Sequence, residues 1–451
     1  MKILCLLFCI ESAVAAPAAL DSLINIALQN NLALQQRTMA WEKAWRAQQA
    51  AQGMFLPTVS LEARYSRAEG GRQIDFPIGD IVNPIYSSLN MLMQQPVFPT
   101  NVPNETIPFL REREHETRLR VVQPVLQPAI YYNLQIQSLL KDIHYDARRV
   151  YARQLVADVK QAYYDVLKTQ KVLVLYDSTR VLVEENLHVS TVLFENDKVT
   201  EADVFRAKAE LADQHQQQAK ARKNAQLARA QLNFLLNRDL DTPIAVEALP
   251  KQEPSPALYD EALSAAMERR EELKQLETSI NVSQKQISLQ RSSYLPTVSV
   301  VADYGYQGTE YRFDDRHDYW MISAVASWTL FHGLQTKRQV QQAKLDKRQQ
   351  QARLQEVRQQ IELQIKAAYE NLTVAREARQ AAATQQKSAA KAFRIISGKY
   401  KQGMISQIEL LSARNALTQA EINRILTTYD YWSRWAVWEQ ALAVYPIQLG
   451  D

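Results

Sequence analysis

The sequence repeats itself, and the repeat limits the fold more than any other feature. Phe55-Leu56-Pro57-Thr58-Val59-Ser60 returns as Tyr294-Leu295-Pro296-Thr297-Val298-Ser299, five identical residues in a row at an offset of 239. Ala27-Leu28 and Ala266-Met267 keep the same register. Further on the offset is 206: Leu155, Val159, Ala162, Val166 and Thr169 align with Ile361, Ile365, Ala368, Leu372 and Ala375. Thr200-Glu201-Ala202-Asp203-Val204-Phe205 aligns likewise with Ser406-Gln407-Ile408-Glu409-Leu410-Leu411. A chain written twice from one plan folds as two copies of one supersecondary unit. The change of offset puts about thirty extra residues between the strands of the first half.

Each half contains a long helical hairpin. From Gln335 to Lys399 there is no Pro and a single Gly, Gly398, and the residues are mostly Ala, Gln, Lys, Arg, Glu and Leu, the strong helix formers. The apolar seam from Ile361 to Ala375 advances by fours and threes, as in a coiled coil. At ~1.5 Å per residue such a helix is a rod of roughly 100 Å. Tyr400-Lys401-Gln402-Gly403-Met404-Ile405 turns the chain, and a second helix runs back from Ser406. In the first half the long helix is expected over 129–196, with a return helix to about Asn237. A further helix precedes the strands of each half, over 20–54 and 257–292. Together with a return helix it matches one long rod, so two short helices stacked end to end can run beside each long one.

Four strands are read from alternation. Val59, Leu61, Ala63 and Tyr65 oppose Thr58, Ser60, Glu62, Arg64 and Ser66; a second strand runs through Leu119, Val121, Gln123 and Val125. In the second half Val298, Val300, Ala302, Tyr304 and Tyr306 oppose Ser299, Asp303 and Gly305. In the fourth strand Trp320, Ile322, Ala324, Ala326, Trp328 and Leu330 oppose Ser323, Ser327 and Thr329. The connection 67–117 carries six prolines and reads as an irregular loop. Eight tilted residues between Trp320 and Trp328 cover roughly 20 Å of bilayer, which suits two tryptophan girdles of an outer-membrane barrel. Four strands cannot close such a barrel, and an open edge in lipid strands backbone groups, so the chain must oligomerise.

The N-terminus fits that compartment. Lys2, the apolar run Ile3–Ile10 and Ala13-Val14-Ala15 read as a secretory signal cleaved after Ala15. Both cysteines, Cys5 and Cys9, would leave with it, so neither disulfides nor a lipidated cysteine are expected. No run of 18 uncharged apolar residues follows to make a membrane helix.

These features resemble the TolC family of outer-membrane efflux and secretion channels. The resemblance rests on the duplicated helix–strand–strand–helix plan, the paired Leu-Pro-Thr-Val-Ser starts, the Trp328-Thr329-Leu330-Phe331-His332-Gly333 strand exit, and the turn from Tyr400 through Gly403 to Glu409. It implies a mainly α fold: a long α-helical barrel, plus four strands per chain that build a trimeric 12-strand transmembrane β-barrel. It implies a homotrimer in the outer membrane, in contact with lipid and extending into the periplasm. The trimer would be the exit duct of a tripartite efflux or type I secretion system. Its expected partners are a periplasmic adaptor (membrane fusion) protein and an inner-membrane pump of RND or ABC type. The adaptor-binding turns would be at Asp197, Thr200, Gly403 and Ser406. The periplasmic gate would comprise Asp203, Tyr400 and Glu409, with Asp203 latching a neighbouring Tyr400 and Glu409 facing the pore. Where family members can carry an Arg and a second acid, this chain has Ile405 and Ser412. From the residues alone, Thr200-x-x-Asp203 and Ser406-x-x-Glu409 also read as helix capping boxes.

The sequence divides at 1–15 (signal peptide), 16–238 (first repeat), 239–256 (linker), 257–445 (second repeat) and 446–451 (tail). The net charge is only +4 and the basic residues are spread along the helices, so no nucleic-acid partner is expected. Six scattered histidines without ligand spacing, and the lack of a phosphate loop or paired catalytic carboxylates, point to no metal, no cofactor and no enzyme. The alternative of another class is a periplasmic coiled-coil scaffold or adhesin without channel activity.

Overall fold

The computed structural model describes residues 18–449 except 248, 251–253, 255–257, 403 and 448. The expected signal peptide, both cysteines and Gly403 lie outside them. In chain order the elements are α1 (Ala18–Asn30), α2 (Leu32–Gly53), β1 (Thr58–Arg67), β2 (Gln73–Phe76), α3 (Ile78–Met93), β3 (Glu105–Pro108) and β4 (Arg113–Leu126). Then come α4 (Pro128–Glu195), α5 (Glu201–Leu235), α6 (Tyr259–Arg269), α7 (Glu271–Ser292), β5 (Thr297–Gly308), β6 (Asp318–Ser327), α8 (Gln335–Lys401) and α9 (Gln407–Ala441). Two compact units form, each drawing on both halves of the sequence. One comprises Met1–Arg46, Gln137–Gln284 and Lys344–Asp451; the other comprises Ala47–Ile136 and Lys285–Ala343.

The first unit is helical. The long helices α4 and α8 have 68 and 67 residues and the return helices α5 and α9 have 35 each. Pro128 opens α4 at the one helical position where its missing N–H costs nothing. The seam read from the sequence is buried: Ile361, Ile365, Ala368, Leu372 and Ala375 in α8, and Leu155, Val159, Ala162 and Val166 in α4. Around it one core gathers Leu20 and Ile24 of α1, Leu232 of α5, Ala266 of α6, and Tyr431, Trp432 and Trp438 of α9.

The helices expected over 20–54 and 257–292 are each broken once, at Asn31 and at Arg270, positions related by the offset of 239. Sequence reading missed both breaks because neither residue is Gly or Pro. Tertiary hydrogen bonds explain them. The Asn31 side chain donates to the carbonyl of Leu235 at 2.9 Å and accepts from the N–H groups of Ala33 and Leu34, so it caps α2. Arg270 donates to the carbonyl of Ala441 at 3.3 Å and to Gln364 at 3.1 Å. Leu235 and Ala441 are the last residues of α5 and α9. At each break one side chain therefore ties the middle of a bent helix to the carbonyl end of a return helix, satisfying an acceptor that the helix end leaves free.

The second unit holds an antiparallel sheet in the order β1-β4-β5-β6. Its register pairs Glu62 with Arg118, Arg120 with Asp303, and Tyr304 with Trp320. The register shifts between Pro124 and Leu126, at the proline that cannot donate to the ladder. The connection expected to be irregular is instead ordered. The β2–β3 ribbon continues the β1–β4 pair and leads to α3, and a strap over 95–104 lies along that helix. Asn83 and Asn90, two turns apart, each clamp the strap by two hydrogen bonds, to Val102 and to Phe98. Gly79 is required there, since a Cβ would sit 2.2 Å from the Val102 carbonyl oxygen. The prolines that suggested a loop are absorbed at the α3 N-cap (Pro77), in the strap and in β3; only Pro84 lies within the helix.

Candidate functional site

The sheet separates two chemistries onto its two faces. β4 alternates Thr117, Leu119 and Val121 with Glu116, Arg118 and Arg120, and the register places each set beside its like on β1 and β5. One face carries an ionic ladder. Arg118 donates from Nε and Nη2 to Glu62 at 3.0 and 2.8 Å, and from Nη1 to Glu116 at 2.9 Å. Arg120 grips both oxygens of the buried Asp303 at 2.8 and 2.9 Å. The Tyr319 hydroxyl donates to Glu116, and Arg64 approaches the same carboxylate at 3.4 Å. Two-pronged guanidinium–carboxylate pairs of this kind fix strand register as well as charge.

Gly305 makes the ladder possible. Opposite Arg118, a Cβ on residue 305 would lie 2.4 Å from the Thr117 carbonyl oxygen and 2.6 Å from the Arg118 Cβ. Gly305→Ala is expected to push β4 and β5 apart at a cost of about 1–3 kcal/mol. A fall in the denaturation temperature of the sheet-bearing protein measures it; an unchanged temperature refutes the close approach.

The other face is apolar and bare. Leu61 and Trp320 are each 74% exposed, and Ile322 65%; Val59, Leu119 and Tyr304 are exposed beside them. A contiguous exposed apolar face of this extent marks a surface that meets lipid or protein rather than water. Tyr65, Tyr304, Tyr306 and Trp320 lie toward its end farthest along from Thr297. Trp328, expected inside the fourth strand, follows the last residue of β6, and its indole N–H donates to the Tyr294 carbonyl at 3.0 Å. Among the described residues β1 and β6 each have a partner on one side only.

The helical turns are built on repeated hydrogen bonds. Lys198 N donates to Leu193 O, and Met404 N to Lys399 O, pairs that coincide under the offset of 206. Asp197 takes a left-handed φ of +58°, a conformation that aspartate tolerates better than most residues. Thr200 and Asp203 form a capping box. The Asp203 Oδ2 accepts from the Thr200 N–H at 3.0 Å and from its hydroxyl at 2.7 Å, while Oδ1 receives Arg206. The Thr200 hydroxyl, with the N–H and Arg206, holds the Asp203 carboxyl below its ordinary value. Ser406 and Glu409 meet only at 3.4 Å, so the Glu409 carboxylate is held loosely and is exposed. Burial, with the Asp203 charge second, raises the Tyr400 hydroxyl above its ordinary value.

Two contacts behind the turns escaped the sequence reading. Gln407 donates to the Ser190 hydroxyl at 2.8 Å in a buried position, and the buried Arg414 pairs with Glu210. Both join α9 to elements of the first half. An arginine at a seam position would have been the signal for the second; the first has none.

The family model for "Outer membrane efflux protein" matches residues 262–443. The alkaline protease secretion protein AprF of Pseudomonas aeruginosa is 22% identical over 306 residues, 66% of this chain and 63% of AprF, so the chain spans less than two thirds of that relative's length. Among solved structures, a membrane protein from Pseudomonas aeruginosa superposes with a TM-score of 0.77 at 19% identity, covering 94% of each chain. The CmeC outer membrane channel of Campylobacter jejuni gives 0.76 at 16% identity, covering 94% of this chain and 85% of that one. The duplicated hairpins and the two-faced sheet agree with these likenesses: residues 262–443 match the outer membrane efflux protein model, and the chain has the fold of the outer-membrane channels it superposes on.

Proposed function

We propose that the protein is the outer-membrane exit duct of a tripartite efflux or type I secretion system. The observation that carries this is the sheet: one face lined by paired charges, the other bare and apolar, and two edges without partners. Lipid accepts the apolar face, water accepts the ladder, and only closure with further copies satisfies the edges. Three copies give twelve strands, within the range of closed membrane barrels. A scaffold or adhesin in the aqueous periplasm would have no use for so large a bare apolar face.

In this reading the turns at Asp197, Thr200, Gly403 and Ser406 meet a periplasmic adaptor protein, and an inner-membrane pump of RND or ABC type feeds the duct. The capping box occupies Asp203 within its own chain, so a latch to a neighbouring Tyr400 would have to draw on that carboxylate's remaining acceptor capacity. Glu409, loosely held, is the better candidate for a charge facing the pore, where three copies would repel one another and attract cations.

Mass measurement in mild detergent followed by planar-bilayer conductance tests the proposal. Three copies and single-channel steps are expected; a stable membrane monomer or a silent bilayer refutes it. Glu409→Gln is expected to reduce cation selectivity at nearly unchanged stability, and Tyr400→Phe to raise conductance. If neither value moves, these residues serve the helix ends alone.

A further inference from the structure

Where β5 and β6 meet the helices, the second unit contains a cavity of about 380 Å³. Ser292, Ser293, Thr297, Thr329, Thr336 and Lys337 are among the residues that line it. Among the described residues no carboxylate lines it. Its lip is apolar: Leu330 is 79% exposed and Phe331 77%, beside Leu295 and Tyr294.

Two features show what the polar end would accept. Thr336 is only 6% exposed, and its hydroxyl has no hydrogen-bond partner among the described residues. α8 begins at Gln335, where the Gln335 N–H bonds to His332 and the Arg338 N–H to Leu334. The N–H groups of Thr336 and Lys337, between them, have no such backbone partner among the described residues. A helix start with free N–H groups favours an anion, and here it coincides, among the described residues, with an unpaired lysine, the unpaired hydroxyl of the buried residue Thr336 and no competing carboxylate. No acidic residue occupies the first turn of α8 to supply that charge from within the chain.

An inorganic anion would leave the lip unexplained. Leu330 and Phe331 project from the short connection between β6 and α8 at the end of the apolar sheet face. A ligand with an anionic head joined directly to long apolar chains satisfies both parts. We propose that this cavity binds a glycerophospholipid of the periplasm-facing leaflet. Its phosphate sits on Lys337, Thr336 and the α8 amino terminus, and its acyl chains lie over Leu330 and Phe331. The proposal rests on the sheet lying in the outer membrane, as proposed above, but its test reads lipid binding and not conductance.

The full-length protein, recovered from the outer-membrane fraction in mild detergent and stripped of lipid, is titrated with dimyristoyl phosphatidylglycerol and separately with inorganic phosphate. Adducts are counted by native mass spectrometry. Wild type is expected to hold one lipid per chain. Lys337→Gln and Thr336→Val are each expected to weaken it about tenfold, the scale of one lost charge-assisted hydrogen bond. Lys344→Gln, two turns further along α8, should bind as wild type does. Phosphate alone binding as tightly as the lipid would make this a plain anion site and overturn the assignment. So would a lipid-free cavity, as when a neighbouring copy fills it, or lipid binding that ignores both cavity substitutions. A protein missing from the outer-membrane fraction defeats the proposed function instead, and fractionation reveals that before any titration.

Discussion

With Ala324→Arg, little or no protein will reach the outer membrane, whereas Ser323→Arg, one residue earlier, will leave assembly intact. The two side chains lie on opposite faces of β6: Ala324 pairs with Val300 on the bare apolar face, and Ser323 with Val301 on the face of the ionic ladder. In a bilayer an arginine on the lipid face near the midplane costs about 2–4 kcal/mol per chain, while lumen positions tolerate it. In the proposed trimer three copies in one barrel multiply the penalty, so the effect should be close to complete. Membrane fractionation with heat-modifiable mobility reads the outcome. Equal tolerance of both arginines would mean that neither face meets lipid, and the duct reading would fall.

Glu271→Ala should be the most destabilising single change in the helical unit. The carboxylate, buried at the start of α7, accepts from Arg153 Nε at 2.6 Å and Nη2 at 2.7 Å, and from Arg149 at 3.2 Å. Arg153 also donates to the Tyr445 carbonyl at 2.9 Å. Removing the acid leaves guanidinium charge stranded in a low-dielectric place, at a cost of about 3–5 kcal/mol. Denaturant unfolding measures it, and the double change Glu271→Met with Arg153→Met should recover much of the loss. Burial is the largest single influence and would raise the Glu271 carboxyl, but Arg153, its own backbone N–H and Arg149 together outweigh it, and the net shift is downward from 4.5. The sign follows from linkage. A carboxyl depressed in the fold adds stability above its unfolded value, and that stability is lost as pH falls through the folded value. Below about pH 4.5 the native protein should therefore lose stability faster than the Glu271→Gln variant does. Parallel acid curves would remove Glu271 from the account.

Much of this was legible because periodicity survives without context. The seam from Ile361 to Ala375 could be read since helical spacing is a local property, and burial follows from it. The alternation of Val59, Leu61 and Ala63 likewise fixed which face of β1 is apolar. The ladder of Glu116, Arg118 and Arg120 was not read from the sequence, because their partners Glu62 and Asp303 lie 56 and 183 residues away and required the register. Asn31 and Arg270 were illegible for a different reason. A helix breaks there because of a carbonyl 204 or 171 residues along the chain, and no local propensity encodes that. α3 was hidden by prolines, which punctuate loops on average but are harmless at a cap or in a strap pinned by asparagines.

The ties of the helical unit also sort by ancestry. Asn31 to Leu235 stays within the first half, and Arg270 to Ala441 within the second; both end on backbone carbonyls, which do not titrate. Four acids, two of them buried and two half-buried, reach across. Glu271 holds Arg149 and Arg153, Glu439 holds Lys160, Asp146 faces Lys274, and Glu210 holds Arg414, each pair taking one member from either half. Each duplicated piece is thus tied to itself through carbonyls that do not titrate, while between the pieces protonatable pins stand beside the neutral Gln407–Ser190 bond. Those pins do not release together, because burial pushes Asp146 up while the arginines hold Glu271 down. Acidification would loosen the pins one after another and leave the ties within each piece in place.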